Sequence, residues 1–316
     1  MKGNKMNNNI KEFLLKFKSL FGLILLCIII SILTPRFLNV SNIMNVFTQV
    51  SVNAILAIGM SFVILTGGID LSVGSTLAIT GALSASIIRL TNSIFLSLVV
   101  ALIIGAAIGL MNGVTVAKGK IQAFIVTLAT MTVFRGVTMV YTNGTPISGL
   151  SEKFMVIGNK KILGYIPVPA IITIIILIMA WYVLSQTRYG RYVYALGGNE
   201  DSARLSGINT DKVKMLVYVI CGMTAALSGV ITTSRVGTAS PNAGLGFELD
   251  AIAAVVLGGT SLAGGEGTVV GTIIGAMIIG VLNNGLNLAG VSAYYQSIVK
   301  GLVILLAVLI DKKSKK

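Results

Sequence analysis

Long apolar runs separated by short polar breaks occupy almost the whole chain. The runs fall at 18–34, 43–66, 71–88, 93–117, 122–141, 166–186, 213–235, 250–263, 267–286 and 296–311. Several fall short of the roughly 20 residues that a helix needs to cross a hydrocarbon core, and 71–88 and 250–263 are the doubtful crossings. In lipid a chain must satisfy its own backbone polar groups, so runs of this kind predict helices rather than open sheet. The expected fold is all-α, a polytopic membrane protein of about ten transmembrane helices.

Two breaks stand out because they combine carboxylates with glycines. The first is Thr66-Gly67-Gly68-Ile69-Asp70-Leu71-Ser72-Val73-Gly74-Ser75. An aspartate at the centre of a span costs about 2.5–3.5 kcal/mol on insertion scales, so such residues usually face protein or a water-filled path. Glycine permits backbone geometry that other residues resist. One reading is a pathway or hinge element; the other is a plain turn with Asp70 capping the next helix. The second break spans Phe247-Glu248-Leu249-Asp250 through Gly258-Gly259-Thr260, followed by Gly264-Gly265-Glu266-Gly267-Thr268. Its paired carboxylates invite comparison with a glycosidase, but residues two apart point to different sides and no soluble cleft accompanies them. Asp250 at the start of a short helix, with Gly264–Gly267 closing a turn, fits better.

The two breaks also stand in corresponding places. Ile103-Ile104-Gly105-Ala106-Ala107-Ile108-Gly109-Leu110-Met111-Asn112-Gly113 is echoed by Ile273-Ile274-Gly275-Ala276-Met277-Ile278-Ile279-Gly280-Val281-Leu282-Asn283, and Asp70 and Asp250 each precede a Gly- and Ala-rich span. Matching spans two to five with spans seven to ten sets the repeats five crossings apart. They are therefore inverted, a transporter signature.

Composition narrows the class. Of 316 residues, 55% are hydrophobic and 11% charged, with a mean hydropathy of +0.92. The net charge of +14 lies at membrane edges rather than on one face, which argues for insertion bias and against nucleic acid. With both ends inside, sixteen Lys and Arg fall in cytoplasmic segments against six outside. Residues 1–18 and 312–316 become basic cytoplasmic tails. The stretch Leu20–Leu33 resembles a signal core, but Thr34-Pro35-Arg36 follows it and no cleavage site does, so it reads as a retained span. Cys27 and Cys221 lie in apolar segments and suggest no disulfide. Histidine is absent and no GxxxxGK[ST] loop occurs, so neither a metal nor a cofactor is expected and ATP would bind elsewhere.

Two connections are long. Thr142–Tyr165 reads as an outer loop with a short helix. Within the inner loop, 187–213, Asn199 can cap a short helix with Glu200 and Asp201 in its first turn and Gly207 as its stop. So short a helix is marginal alone and needs support. Asn112, Asn283, Asn284 and Asn287 are amides near span ends that suit either sugar contact or helix bridging. Arg135 is read as the partner of a buried carboxylate and Lys300 as snorkelling to an interface.

Three stretches in order, Gly67-Gly68-Ile69-Asp70-Leu71-Ser72-Val73-Gly74, Gly197-Gly198-Asn199-Glu200 leading to Ala203-Arg204-Leu205-Ser206-Gly207-Ile208, and Leu257-Gly258-Gly259-Thr260 with Gly264–Thr268, resemble the membrane permease subunit of bacterial ribose-type ABC importers. The resemblance covers residues 20–311. It implies one transmembrane permease domain over 1–316 in a bacterial cytoplasmic membrane, with both termini cytoplasmic. It also implies a cytoplasmic ATPase, an extracytoplasmic sugar-binding protein and a second permease copy or paralogue. Relatives carry xylose, galactose or allose as well as ribose, so these motifs leave the sugar open. A coupling helix that docks on the ATPase would match Asn199–Ile208, with Asn199, Glu200, Asp201, Arg204, Leu205 and Gly207 as candidates. The broader importer pattern, Glu-Ala-Ala then Gly after a gap of three, is replaced by Glu200-Asp201-Ser202-Ala203, and Gly207 falls one place late.

The expected function is thus the transport subunit of an importer for ribose or a related monosaccharide, working by alternating access and not itself an enzyme. The pathway or gate candidates are Gly67, Gly68, Asp70, Ser72, Gly74, Asp250, Gly258, Gly259, Asn283 and Asn284. The alternative is an ion-coupled secondary transporter with Asp70 as the ion site, which leaves the charged inner helix without a purpose.

Overall fold

The computed structural model describes residues 18–314. The amino-terminal basic tail up to residue 17, and residues 315–316 of the carboxyl tail, lie outside the described residues. Helices α1 (Lys18–Leu33), α2 (Val40–Leu65), α3 (Val73–Thr91), α4 (Ile94–Ala117) and α5 (Ala123–Thr142) lead into a short helix α6 (Glu152–Asn159). A two-residue antiparallel hairpin follows, β1 (Lys161–Ile162) with β2 (Ile166–Pro167), the one named sheet among the described residues of an otherwise all-α chain. Then come α7 (Val168–Gln186), α8 (Arg188–Gly198), α9 (Glu200–Leu205), α10 (Thr210–Val236), α11 (Phe247–Leu257), α12 (Val269–Leu288) and α13 (Ala293–Ser314).

Seven of these, α2, α3, α4, α5, α7, α10 and α12, are long and apolar enough to cross a membrane; α1 and α13 carry shorter apolar stretches. The chain is a polytopic helical membrane protein. The doubtful run at 71–88 belongs to a full-length helix. The doubtful run at 250–263 does not: α11 has 11 residues and rises about 16 Å, roughly half a bilayer.

The two longest helices, α2 with 26 residues and α10 with 27, form the centre. Leu56, Val63, Leu65, Val217, Cys221 and Ile231 are completely enclosed. Small residues let backbones approach here, as membrane helices require. A Cβ on Gly105 or Gly109 of α4 would collide with the carbonyls of Gly222 or Tyr218 on α10. On α12, Gly275 meets the carbonyl of Ala254 in α11 in the same way. The Gly-rich echo in the sequence is thus a pair of helix-packing faces.

The helix α10 runs between two ends of the bundle. At one end it starts beside α9, where Arg204 donates to Thr210 Oγ1 at 2.9 Å. At the other, Gly158 of α6 donates its N–H to Ser234 Oγ at 2.8 Å. These are called the α9 end and the α6 end below.

Candidate functional site

The break after α2 is built from a left-handed glycine. Gly67 sits at φ 77°, its N–H returning to Ile64 O at 2.8 Å and that of Gly68 to Val63 O at 3.1 Å. This double return stops a helix and needs a residue without a Cβ at the turn. The same closure recurs after α11, where Gly259 N returns to Val256 O and Thr260 N to Val255 O. It recurs again after α9, with Gly207 N on Arg204 O and Ile208 N on Ala203 O. Gly67, Gly259 and Gly207, singled out as hinge or stop residues, therefore share one local geometry.

Beyond Gly68 the chain dips through a buried polar cluster. Asp70 is 1% exposed, and its Oδ1 accepts from Ser72 N at 2.9 Å and from Ser72 Oγ at 2.6 Å. Asn112 Nδ2 donates to Ser72 Oγ at 2.9 Å, and Thr130 Oγ1 donates to Asn112 Oδ1 at 2.7 Å. Cys221 also reaches Asp70. Among the described residues no basic side chain pairs with this carboxylate. Asp70 and Ser72 thus tie the break to α4 and α5, while α3 begins at Val73 without a side-chain cap from Ser72.

Three glycine-bearing segments far apart in sequence converge just below this cluster. Gly265 N donates to Leu65 O at 2.9 Å. A Cβ on Gly197, in the last turn of α8, would collide with both of those atoms. A Cβ on Gly264 would lie 2.9 Å from Gly67 N and 3.0 Å from Gly197 O, and one on Gly265 would lie 2.9 Å from Gly198 N. The chain therefore forms a knot of bare backbone in which the end of α2, the lead-in to α9 and the 258–267 turn touch directly. Tyr194 of α8 adds a clamp: its hydroxyl donates to Gly267 O at 2.9 Å, and burial pushes the phenol up, which keeps the donor proton in place.

From the knot α9 projects outward. Asn199 caps it, accepting from Ser202 N at 2.8 Å. Glu200 pairs with Lys214 at 2.6 Å, and Arg204 reaches both Glu200 and Asp211 at 3.2 Å. Exposed pairs of this kind contribute little individually, but together they brace a six-residue helix that could not hold its shape alone. Ala203 is buried while Asp201 is exposed and Leu205 is 90% exposed. Between α9, the first break and the α4–α5 turn lies a cavity of about 560 Å³, lined by Gly67, Gly68, Lys120, Glu200, Arg204 and Tyr218 among others.

The half-length α11 brings a second junction. The 237–246 segment returns into the bundle until Gly244, at φ 72°, packs on Gly74; a Cβ on Gly244 would lie 2.6 Å from Gly74 O. The N-termini of α3 and α11 therefore abut, and Glu248 Oε2 lies against Gly74. Arg135 of α5 holds the returning segment, donating to Pro241 O at 2.7 Å and Ala243 O at 2.8 Å. Arg135, expected to pair with a carboxylate, hydrogen-bonds carbonyls and lies within electrostatic reach of Glu248 without a direct ion pair among the described residues. Lys300, expected to snorkel, pairs with Asp250 at 3.0 Å.

The candidate residues accordingly divide. Gly67, Gly68, Gly258 and Gly259 lie on the α9 side, with Gly258 pressed on the carbonyl of Gly271. Asp70 and Ser72 lie in the buried cluster and Gly74 at the half-helix junction. Asp250 and Asn283 line a separate cavity of about 300 Å³ with Lys300. Asn284 exchanges two hydrogen bonds with Asn42, at 2.9 and 3.0 Å, and bridges α12 to α2. Sequence reasoning did not single out Tyr194 or Asn42, which carry no local signal. Gly197 and Gly198 did carry one, as a glycine pair before a capping Asn, but their contact partners lie in other segments.

Comparison with known proteins agrees with this architecture. The family described as branched-chain amino acid transport system / permease component matches residues 42–308. The ribose import permease protein of Escherichia coli K12 is 56% identical over 309 residues, covering 96% of each chain. That of Bacillus subtilis 168 is 54% identical over 300 residues, covering 94% of this chain and 93% of its own. The D-allose transport system permease protein of E. coli K12 is 40% identical over 299 residues, covering 94% and 91%. No solved structure matches. A bundle of membrane helices broken by glycine knots, matched along most of its length, is accounted for: the chain belongs to this family of transport-system permease components.

Proposed function

We propose that this chain is the permease subunit of an ATP-driven importer for ribose or a closely related monosaccharide in a bacterial cytoplasmic membrane. The ribose import permeases at 54–56% identity over almost the full length support the sugar. The α9 end faces the cytoplasm, the α6 end faces outward, and both termini are cytoplasmic, as the sixteen-to-six charge asymmetry supports. Counting α1, α13 and the 237–257 segment as crossings gives ten, in two inverted halves. The abutting N-termini of α3 and α11 support that symmetry, each half supplying a long helix, a glycine break, a helix that starts at the junction (full-length in α3, half-length in α11) and a Gly-rich packing helix.

A cytoplasmic ATPase seats on α9 through Asp201, Leu205 and the Arg204 side, a sugar-binding protein docks at the α6 end, and a second permease copy completes the pore. Residues 187–213 form the coupling loop of this single transmembrane unit. The single observation that carries the mechanism is the glycine knot, because it joins the lead-in of α9 directly to the ends of α2 and of the α11 turn. ATP shifts the pair of states only through differential affinity for them, and movement of α9 passes to both breaks through backbone contact. The gate comprises Gly67, Gly68, Asp70, Ser72, Gly74, Asp250, Gly258, Gly259, Asn283 and Asn284. An ion-coupled secondary transporter built on Asp70 is not favoured, since the relatives are import permeases.

The test is reconstitution. Labelled ribose accumulates in proteoliposomes only when the chain, its ATPase, the sugar-binding protein and ATP are all present. Accumulation by the chain alone on an ion gradient would replace this reading with the secondary transporter.

A further inference from the structure

Asn53 of α2 and Asn283 of α12 each carry a buried amide oxygen with no hydrogen-bond partner among the described residues. Both side chains line the same cavity of about 300 Å³, together with Asp250, Lys300, Arg235 and Phe247. Asn284 next door, by contrast, has its amide satisfied by Asn42. Buried polar groups left unpaired call for a partner that the bare chain does not supply.

The chemistry of the lining selects that partner. Lys300 spends one of its three donors on Asp250 at 3.0 Å, and Arg235 spends one on Thr48 O at 3.4 Å; both retain donors. Orphaned acceptors and spare donors on one lining match hydroxyls, which both give and accept. Phe247 offers an apolar face to C–H groups. The volume lies at the small end of ligand pockets, about 300–1,000 Å³, which admits a single sugar ring and not a disaccharide. The place also fits the mechanism, because α11 is the half-helix whose first turn meets Gly74.

We infer that this cavity is a subsite holding one monosaccharide on the outer half of its path. Asn53 and Asn283 accept from its hydroxyls, Lys300 and Arg235 donate to them, and Phe247 covers its apolar face. The inference rests on the importer reading above and names where the sugar is held within it.

The experiment uses the complete complex in proteoliposomes. Asn53→Ala and Asn283→Ala are each expected to lower ribose uptake about five- to tenfold at saturating binding protein, the loss of a hydrogen bond or two. The conservative Asn53→Ser retains more uptake than Asn53→Ala. In parallel, a membrane-impermeant thiol reagent labels Asn283→Cys above the wild-type background of Cys27 and Cys221, and ribose with its binding protein slows that labelling. Uptake within twofold of wild type, labelling indifferent to ribose, or a cysteine never reached by the reagent would each overturn the subsite while the importer reading stands. A wild-type complex that takes up no ribose overturns both.

Discussion

Asp70 shows how an isolated carboxylate is kept inside a helical bundle. Among the described residues no cation stands beside it, yet both the backbone and the hydroxyl of Ser72 donate to it, and Asn112 and Thr130 extend the chain of donors to α4 and α5. Removing one member leaves others desolvated and unpaired, so the cluster is sensitive out of proportion to its size. Asn112→Leu is expected to lower stability by about 1–3 kcal/mol, read as a fall in the melting temperature of the detergent-purified chain. Thr130→Val is expected to lose less, because its single hydroxyl proton is shared between Asn112 Oδ1 and the carbonyl of Val126. Equal melting of Asn112→Leu and wild type would remove the cluster from the account of the break. At this scale the sequence announced the aspartate and its glycines but not Asn112's part. An Asn on an apolar helix suits bridging and ligand contact equally well, and only the position of α4 against the break decides.

At the scale of elements, short helices were the most legible and their supports the least. Asn199, Glu200 and Gly207 mark the start and stop of α9 through local capping rules, and the structure places cap and stop there. What braces α9 came from farther off: Lys214 and Asp211 on α10, and the glycine contacts of Gly197 and Gly198. The apolar run at 250–263 was readable as too short, but its replacement by a returning segment and a half-helix depends on Arg135 binding the carbonyls of Pro241 and Ala243. A hydropathy pattern contains no trace of such a contact. For α9 itself, Arg204→Ala removes the link among Glu200, Thr210 and Asp211, and Gly207→Val puts a β-branched residue at φ 82°. Both are expected to leave the chain inserted and to cut ribose uptake at least about fivefold more than ATP hydrolysis, a loss of coupling of about 1–3 kcal/mol. Normal uptake in both would take α9 out of the mechanism.

The whole molecule is organised by the meeting of its three glycine motifs. In the sequence they are about 130 and 60 residues apart; in the structure Gly67, Gly197, Gly198, Gly264 and Gly265 form one contact. A resemblance could point to each motif separately, but convergence is a property of the packed bundle. It gives α9 a rigid connection to both helix breaks, since packed backbone without intervening side chains has little room to deform. The central claim, that drive from the ATPase crosses this knot, is tested most directly with Gly197→Val in the reconstituted complex. The added side chain must part the Leu65 carbonyl from Gly265 N, the bond that closes the knot. The account predicts that the variant still assembles with its ATPase and hydrolyses ATP while ribose uptake per ATP falls at least about tenfold. An assembled variant that couples hydrolysis to uptake as well as wild type does would contradict it.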